Sequence, residues 1–181
     1  MKVKIYFLEN FFAIKWGNVG NFFVLLSDKP EMMHFLGKIE ARMDAKGRLF
    51  FPAEFRRQIG GGELRLVMRR DIHQPCLVIY PAETWEKQVE ELRSRINLWD
   101  ASQAMLFRQF LAEVFECTLD SNGRFIVPKR YHELCGSERR VVFLGLDDRI
   151  EMWAAQCAEK PFVDSEEFGT AVQTVMTSPQ R

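Results

Sequence analysis

The sequence predicts an α+β protein in which one β-rich unit occurs twice, as a pseudo-dimer within a single chain. Residues 40–60 (EARMDAKGRLFFPAEFRRQIG) and 116–136 (ECTLDSNGRFIVPKRYHELCG) align without a gap at an offset of 76. A second similarity follows at an offset of 73, where IYPA at 79–82 matches MWAA at 152–155. Two copies are fewer than a stacked solenoid needs, but they suffice for an internal pseudo-dimer. A stretch of helical periodicity between the copies supplies the α component.

The strands of each copy are predicted from local patterns. In copy one, Ile39, Ala41 and Met43 alternate with polar residues, as in a strand with one buried face. A turn follows, and then apolar triplets predict short strands at 49–51 and 125–127. The later strands of the two copies are predicted at 64–68, 76–80, 141–144 and 150–153.

A short helix is predicted between the second and third strands of each copy. Pro52 and Pro128 suit the first helical position, where the missing N–H of proline costs nothing. Glycine then ends each helix, at 60–62 in copy one and at Gly136 in copy two. The unit is therefore strand, turn, strand, short helix, strand, strand.

Two helices are predicted between the copies. The first has apolar residues at helical spacing, with Pro81 near its start: Trp85, Val89, Leu92 and Ile96. The second is capped by Asp100 or Ser102 and carries Met105, Phe107, Phe110 and Leu111. After copy two, a short helix is predicted from Ala154, and the polar end of the chain is expected to be a helix or a flexible tail.

The first 32 residues are apolar and aromatic, but polar residues interrupt every run, at Glu9, Asn10, Lys15 and Asn18. No stretch reaches the roughly 20 residues that a membrane-spanning helix needs. We expect this segment to be an extension outside the fold, preceding a natural start at Met32 or Met33. An ordered N-terminal strand is the alternative.

Composition excludes several classes of site. The net charge is zero, yet residues 38–70 contain nine basic and four acidic side chains, which predicts one locally basic surface. The four cysteines lack the CxxC spacing of a zinc site or the framework of a disulfide-rich protein, and small buried residues are the expectation. No cofactor, metal or small-molecule substrate is predicted.

The repeated Asp-x-x-Gly-Arg turn is the candidate for chemistry. Gly47 and Gly123 can take positive φ cheaply, and Asp44 and Asp120 can accept hydrogen bonds from turn amides. Each turn lacks a nucleophile with a base, so catalysis is disfavoured, although His132 could lie near Ser121 in space. The candidate DNA-binding residues are Arg48 and Arg124, with Lys46 and Asn122 at the turn tips.

Two roles for these arginines stay open. Arginine donates in a rigid fork that matches phosphate or the O6/N7 edge of guanine. Alternatively, each Asp and Arg pair with each other and only stabilise the turn; the two roles are compatible. The basic pairs 56–57 and 129–130 are expected on exposed helix faces. The aromatic residues are expected in the core or in subunit contacts: Phe50, Phe51, Phe55, Tyr131, Trp85 and Trp153.

The paired turns, the apolar triplet and proline after each, VFLG at 142–145 and IEMW at 150–153 together resemble the MraZ family, within the AbrB/SpoVT-type DNA-binding superfamily. The resemblance covers about residues 37–160. It implies two AbrB/SpoVT-like swapped-hairpin β-barrel halves with flanking helices. The implied organisation is an extension at 1–32, repeat one at 37–83, a helical insert at 84–112, repeat two at 113–157 and a C-terminal helix or tail at 158–181.

The same resemblance implies a function. Proteins of this kind bind repeated boxes in promoter DNA as a homo-oligomeric ring, usually repressing their own operon of division and cell-wall genes. The DNA-contacting arginine of the family falls on Arg48, with Arg124 as its counterpart in copy two. The implied location is cytoplasmic and nucleoid-associated, without enzyme activity.

The alternative function is an assembly scaffold that makes protein contacts through residues 85–96 and 105–111 and has no sequence-specific DNA binding. An enzyme with a cleft between the repeats is disfavoured because no catalytic set is visible.

Overall fold

The computed structural model describes residues 3–8, 11–16, 22–26, 34–59, 64–159 and 162–178. The chain divides into two compact units, residues 1–32 and 33–181. The first unit contains an antiparallel sheet in the order β1-β2-β3, formed by Val3–Leu8, Phe11–Trp16 and Phe22–Leu26. Strands, the alternative interpretation of this segment, are therefore present. The expected start at Met32 or Met33 lies outside the described residues.

The second unit contains the predicted element order in both copies. Copy one and the insert comprise β4 (Phe35–Arg42), β5 (Arg48–Phe50), α1 (Ala53–Gln58), β6 (Leu66–Arg70), β7 (Leu77–Pro81), α2 (Ala82–Arg95) and α3 (Ala101–Ala112). Copy two and the C-terminal part comprise β8 (Phe115–Cys117), β9 (Arg124–Ile126), a 3₁₀ helix (Lys129–Cys135), β10 (Arg140–Asp147), β11 (Arg149–Ala154), α4 (Ala155–Ala158) and α5 (Ser165–Thr177).

Strands from the two copies interleave. The six-stranded antiparallel sheet has the order β4-β10-β11-β7-β6-β8, so the first strand of each copy pairs with the third strand of the other. The strands β7 and β11 pair at the centre, and β5 and β9 form a separate two-stranded ribbon. Exchanging equivalent strands of the two copies reproduces the same order, which is the signature of internal two-fold pseudo-symmetry.

The six-stranded sheet is apolar on both faces, because successive side chains of a strand point to opposite sides. One face packs against the ribbon and the short helices through residues such as Leu49, Phe55 and Phe125. The other face packs against α2, α3 and α4 through Trp85, with Phe110 at its edge. The ribbon is thus a lid over one core, and its inner side is fixed by burial.

Several details differ from the sequence-based expectation. Pro52 and Pro128 lie one residue before their helices, at the cap position, and the short helix of copy two is 3₁₀ rather than α. Gly136 ends that helix with a φ of +73°, whereas glycines 60–62 lie outside the described residues. Asp100, rather than Ser102, caps α3, since its side chain accepts a hydrogen bond from the Gln103 amide. The C-terminal segment contains the helix α5.

Candidate nucleic-acid interface

The turn of copy one is closed by the side chain of Asp44. Its Oδ1 accepts hydrogen bonds from the backbone amides of Lys46 at 2.8 Å and Arg48 at 2.9 Å. Its Oδ2 accepts a hydrogen bond from Nε of Arg48 at 2.7 Å. Gly47 has a φ of +79°, and its amide donates to the Asp44 carbonyl at 3.0 Å. A short polar side chain and a residue without Cβ are what this tight geometry requires.

The turn of copy two repeats these bonds. Oδ1 of Asp120 accepts from the amides of Asn122 and Arg124, both at 2.9 Å, and its Oδ2 accepts from Nε of Arg124 at 2.9 Å. Gly123 has a φ of +76°. The predicted pairing of Asp with Arg is therefore present in both turns. It orients each arginine but occupies only part of its guanidinium.

The carboxylates are held in their charged form. The Arg48 amide, the largest influence, together with the Arg48 side chain and the Lys46 amide, lowers the pKa of Asp44 to about 2. The Arg124 amide likewise lowers the pKa of Asp120 below its usual value. Both turns consequently keep their internal ion pair at neutral pH.

Each copy holds the turn of the other. The Gly47 carbonyl accepts a hydrogen bond from the Val127 amide at 2.9 Å, and the Gly123 carbonyl accepts one from the Phe51 amide at 2.9 Å. The helices add a second contact, because His132 of copy two packs against Gly47 and Arg56 of copy one packs against Gly123. Positions 56 and 132 are equivalent at the offset of 76, so the two contacts are pseudo-symmetric.

The outer face of the ribbon carries four side chains. Arg48 lies opposite Ile126, and Phe50 lies opposite Arg124, whereas Leu49 and Phe125 between them point into the core. Phe50 is 60% exposed and Ile126 is 64% exposed. The two arginines therefore occupy one diagonal of the ribbon face, and two exposed apolar residues occupy the other.

The expectation that Phe50 belongs to the core is wrong. Alternation along β5 sends Leu49 inward, so its neighbour in sequence must point outward. The guanidinium of Arg124 lies 5.7 Å from the centre of the Phe50 ring, a cation–π distance. The other aromatic residues of that expectation are buried: Phe51, Phe55, Tyr131, Trp85 and Trp153.

Further polar and basic groups surround the ribbon. Lys46 and Asn122 are exposed at the turn tips, as predicted. The basic pairs of the short helices are exposed too: Arg56, Arg57, Lys129 and Arg130. Arg56, His132, Phe50 and Ile126 were missed as site residues. Their equivalence at the offset of 76 was a signal that pointed to all four.

The described residues offer little for other chemistry. They include no cluster of three or more His, Cys, Asp or Glu side chains arranged to hold a metal ion. His132 Nε2 lies 2.9 Å from the Val127 carbonyl, and Ser121 is exposed on the other turn. Burial raises the pKa of Cys117 to about 12 and that of Cys135 to about 11, so these thiols are poor nucleophiles. Of the helices described, none has the length and apolar character to cross a membrane.

Comparisons with known proteins agree with this architecture. A family model described as "MraZ protein, putative antitoxin-like" matches the chain twice, at residues 34–109 and 110–170. A protein of Bacteroides fragilis named transcriptional regulator MraZ is 48% identical over 151 residues, covering 83% of this chain and 96% of that protein. Its namesake from Bacteroides thetaiotaomicron is 47% identical over 151 residues, covering 83% and 97%.

A more distant relative has the same name. Transcriptional regulator MraZ of Treponema denticola is 31% identical over 140 residues, covering 77% of this chain and 95% of that protein. The double match and these near full-length relatives coincide with the duplicated, interleaved unit of the structure. The chain belongs to the MraZ family.

Proposed function

We propose that this chain is a sequence-specific DNA-binding regulator of transcription, and that the outer face of the β5–β9 ribbon is its reading surface. The observation that supports this most is the pair of oriented arginines, Arg48 and Arg124, on one exposed two-stranded ribbon. The relatives' printed name, transcriptional regulator, points the same way.

The ribbon suits the major groove of B-DNA, which is about 12 Å wide and admits two strands side by side. Diagonal neighbours on such a ribbon lie roughly 7–8 Å apart, so Arg48 and Arg124 can engage separate base edges or phosphates. Phe50 and Ile126, on the other diagonal, supply apolar surface for the methyl groups of thymine.

The two arginines do not contribute equally. Arg124 uses both Nε and Nη2 on Asp120, with Nη2 at 2.9 Å from Oδ2. Arg48 uses Nε on Asp44, and within the described residues its two Nη groups have no protein partner. Arg48 also has Lys46 beside it, where copy two has the uncharged Asn122. Arg48 is therefore the stronger contact in this proposal.

Assembly completes the proposal. The interleaved copies form the AbrB/SpoVT-type swapped-hairpin barrel, and several chains associate in a ring that presents its ribbons to repeated promoter boxes. A single small basic surface binds DNA weakly and with strong salt dependence. Joining several copies multiplies the avidity by roughly 10² to 10⁴. We further propose that the chain represses its own division and cell-wall operon, in the cytoplasm at the nucleoid.

The test is affinity for the chain's own upstream DNA, measured by fluorescence anisotropy over a range of salt concentrations. Arg48→Ala is expected to weaken binding by about 5- to 150-fold, the usual cost of one base-reading arginine, and Arg124→Ala by less. Where the lost contact is to phosphate, the slope of log affinity against log salt falls by about 1 per site.

Arg149→Ala is the matched control. Arg149 is also a partly exposed strand residue paired with a neighbouring carboxylate, Asp148 at 3.1 Å, but it lies at the opposite end of β10 from the turns. It is expected to leave affinity unchanged. Equal losses for Arg48→Ala and Arg149→Ala would refute the assignment, and a folded oligomer without any DNA affinity would favour the scaffold alternative.

A further inference from the structure

The helix α5 has an apolar stripe without a partner. Phe168, Val172, Val175 and Met176 lie within an arc of about 100° at the angular spacing of an α-helix, and all four are exposed. No side chain of α5 is buried in the described part of the chain. A helix of 13 residues that includes Gly169 is marginally stable alone in water, so packing of this stripe is the expected source of its stability.

A groove elsewhere in the same unit has the opposite need. It has a volume of about 1020 Å³ and lies between α2, α3 and the loop after β6. Its walls include the exposed side chains of Ile72 and Leu106, together with Leu92 and Phe110. The groove is therefore an open, largely apolar channel beside the six-stranded sheet.

A buried cation lies in this groove. Arg69 is only 8% exposed, and its guanidinium lies 4.1 Å from the centre of the Phe110 ring. Its Nε donates to the Arg70 carbonyl at 3.0 Å, but no carboxylate of the described residues forms an ion pair with it. The equivalent position in copy two is Leu144, because Arg69 pairs with Val78 as Leu144 pairs with Glu151. Buried charges are normally paired, so the copy-one groove is prepared for an anion.

We infer that α5 of one chain occupies the α2–α3 groove of a neighbouring chain. Its apolar stripe covers the apolar walls, and its acidic first turn lies at the Arg69–Arg70 end. Charge supports this orientation, because residues 162–178 contain Asp164, Glu166 and Glu167 and no basic residue. This inference rests on the ring of the proposed function and specifies the contact that builds it.

The contact has a direction. The helix and the groove are different surfaces, so each chain offers one of each, and the contact is heterologous. Contacts of this type pass from chain to chain and close into a ring when the rotation between neighbours allows it. A two-fold contact of α5 with α5, by contrast, would stop at a dimer.

The test uses two variants, each with one surface disabled, and measures mass by size-exclusion chromatography with light scattering. The helix variant carries Val172→Asp and Val175→Asp; the groove variant carries Ile72→Asp and Leu106→Asp. All four residues are exposed, so the fold is expected to persist, which circular dichroism checks. Gln173→Asp, away from the stripe on the same helix, is the control.

Each variant alone is expected to be a monomer of 21.2 kDa. An equimolar mixture is expected to form a 1:1 dimer and nothing larger, because it retains one intact helix and one intact groove. The control is expected to assemble like the unaltered chain. Three results overturn the inference: an unaltered chain that is monomeric, a groove variant that assembles fully, or a mixture that stays monomeric.

DNA binding separates this inference from the proposed function. The monomeric variants are expected to keep weak, salt-sensitive binding to a single box, because the ribbon is untouched. If the unaltered chain forms the predicted contact but binds no promoter DNA, the proposed function fails and the contact stands. If DNA binding survives without the contact, the reverse holds.

Discussion

Replacing Gly47 with alanine tests how firmly each copy holds the turn of the other. Its φ of +79° costs a non-glycine residue about 1–2 kcal/mol. A Cβ at this position would lie 2.8 Å from Nε2 of His132, so the ring must move. That movement breaks the 2.9 Å contact of His132 with the Val127 carbonyl, which is worth about 0.5–1.5 kcal/mol. The expected loss of stability is about 1.5–3.5 kcal/mol.

Gly123→Ala provides the comparison within the same chain. Its φ is similar, at +76°, but the nearest atom to its Cβ would be Nη1 of Arg56, the end of an exposed and flexible side chain. Arg56 can swing away, so only the backbone cost of about 1–2 kcal/mol is expected. Guanidinium unfolding with an unchanged m-value measures both free energies.

A double-mutant cycle isolates the contact across copies. In a His132→Ala background, Gly47→Ala is expected to cost only the backbone term, which leaves a coupling free energy of about 0.5–1.5 kcal/mol. Equal costs of Gly47→Ala in both backgrounds, matching that of Gly123→Ala, would show that His132 does not hold the turn and would refute this reasoning.

Three further predictions concern the turns, the ribbon and the thiols. The pKa of Asp44 and Asp120 is lowered in the fold, so their contribution to stability is present above about pH 4 and declines as the pH falls towards 2. The Asn variants should flatten the fall in unfolding free energy over that range; an unchanged profile contradicts the linkage. Phe50→Ala with Ile126→Ala should weaken binding to thymine-containing DNA but cost little with uracil-substituted DNA, and equal losses would exclude methyl contacts. Native protein should react rapidly with a thiol reagent at one cysteine, the exposed Cys157, and at all four when unfolded; rapid reaction at several contradicts the burial of the others.

Local pattern predicted much of the fold. The strand alternation, the turn glycines and the helical spacing of the insert depend on neighbouring residues, and α2, α3 and the repeated strand order are observed. The interleaving of β4 with β10 and of β6 with β8 was not deducible from pattern, since pairing between distant strands depends on tertiary contacts. That topology entered only through the family resemblance.

The site was predicted in part for the same reason. The Asp-x-x-Gly-Arg turns contain their own geometry, so their hydrogen bonds could be anticipated from the residues. The outward direction of Phe50 and Ile126 depends on which side of a three-residue strand faces the core, and an apolar triplet does not specify that. The contacts of His132 and Arg56 arise only when the copies meet.

Photo-crosslinking tests the central claim, that DNA lies on the ribbon face, most directly. The photoreactive residue p-benzoylphenylalanine replaces Phe50 or Ile126 in turn, and Trp99, 98% exposed in the loop between α2 and α3, is the control position. Irradiation with promoter DNA is expected to give crosslinks from positions 50 and 126 and none from 99. Crosslinks from position 99 with none from the ribbon would contradict the account.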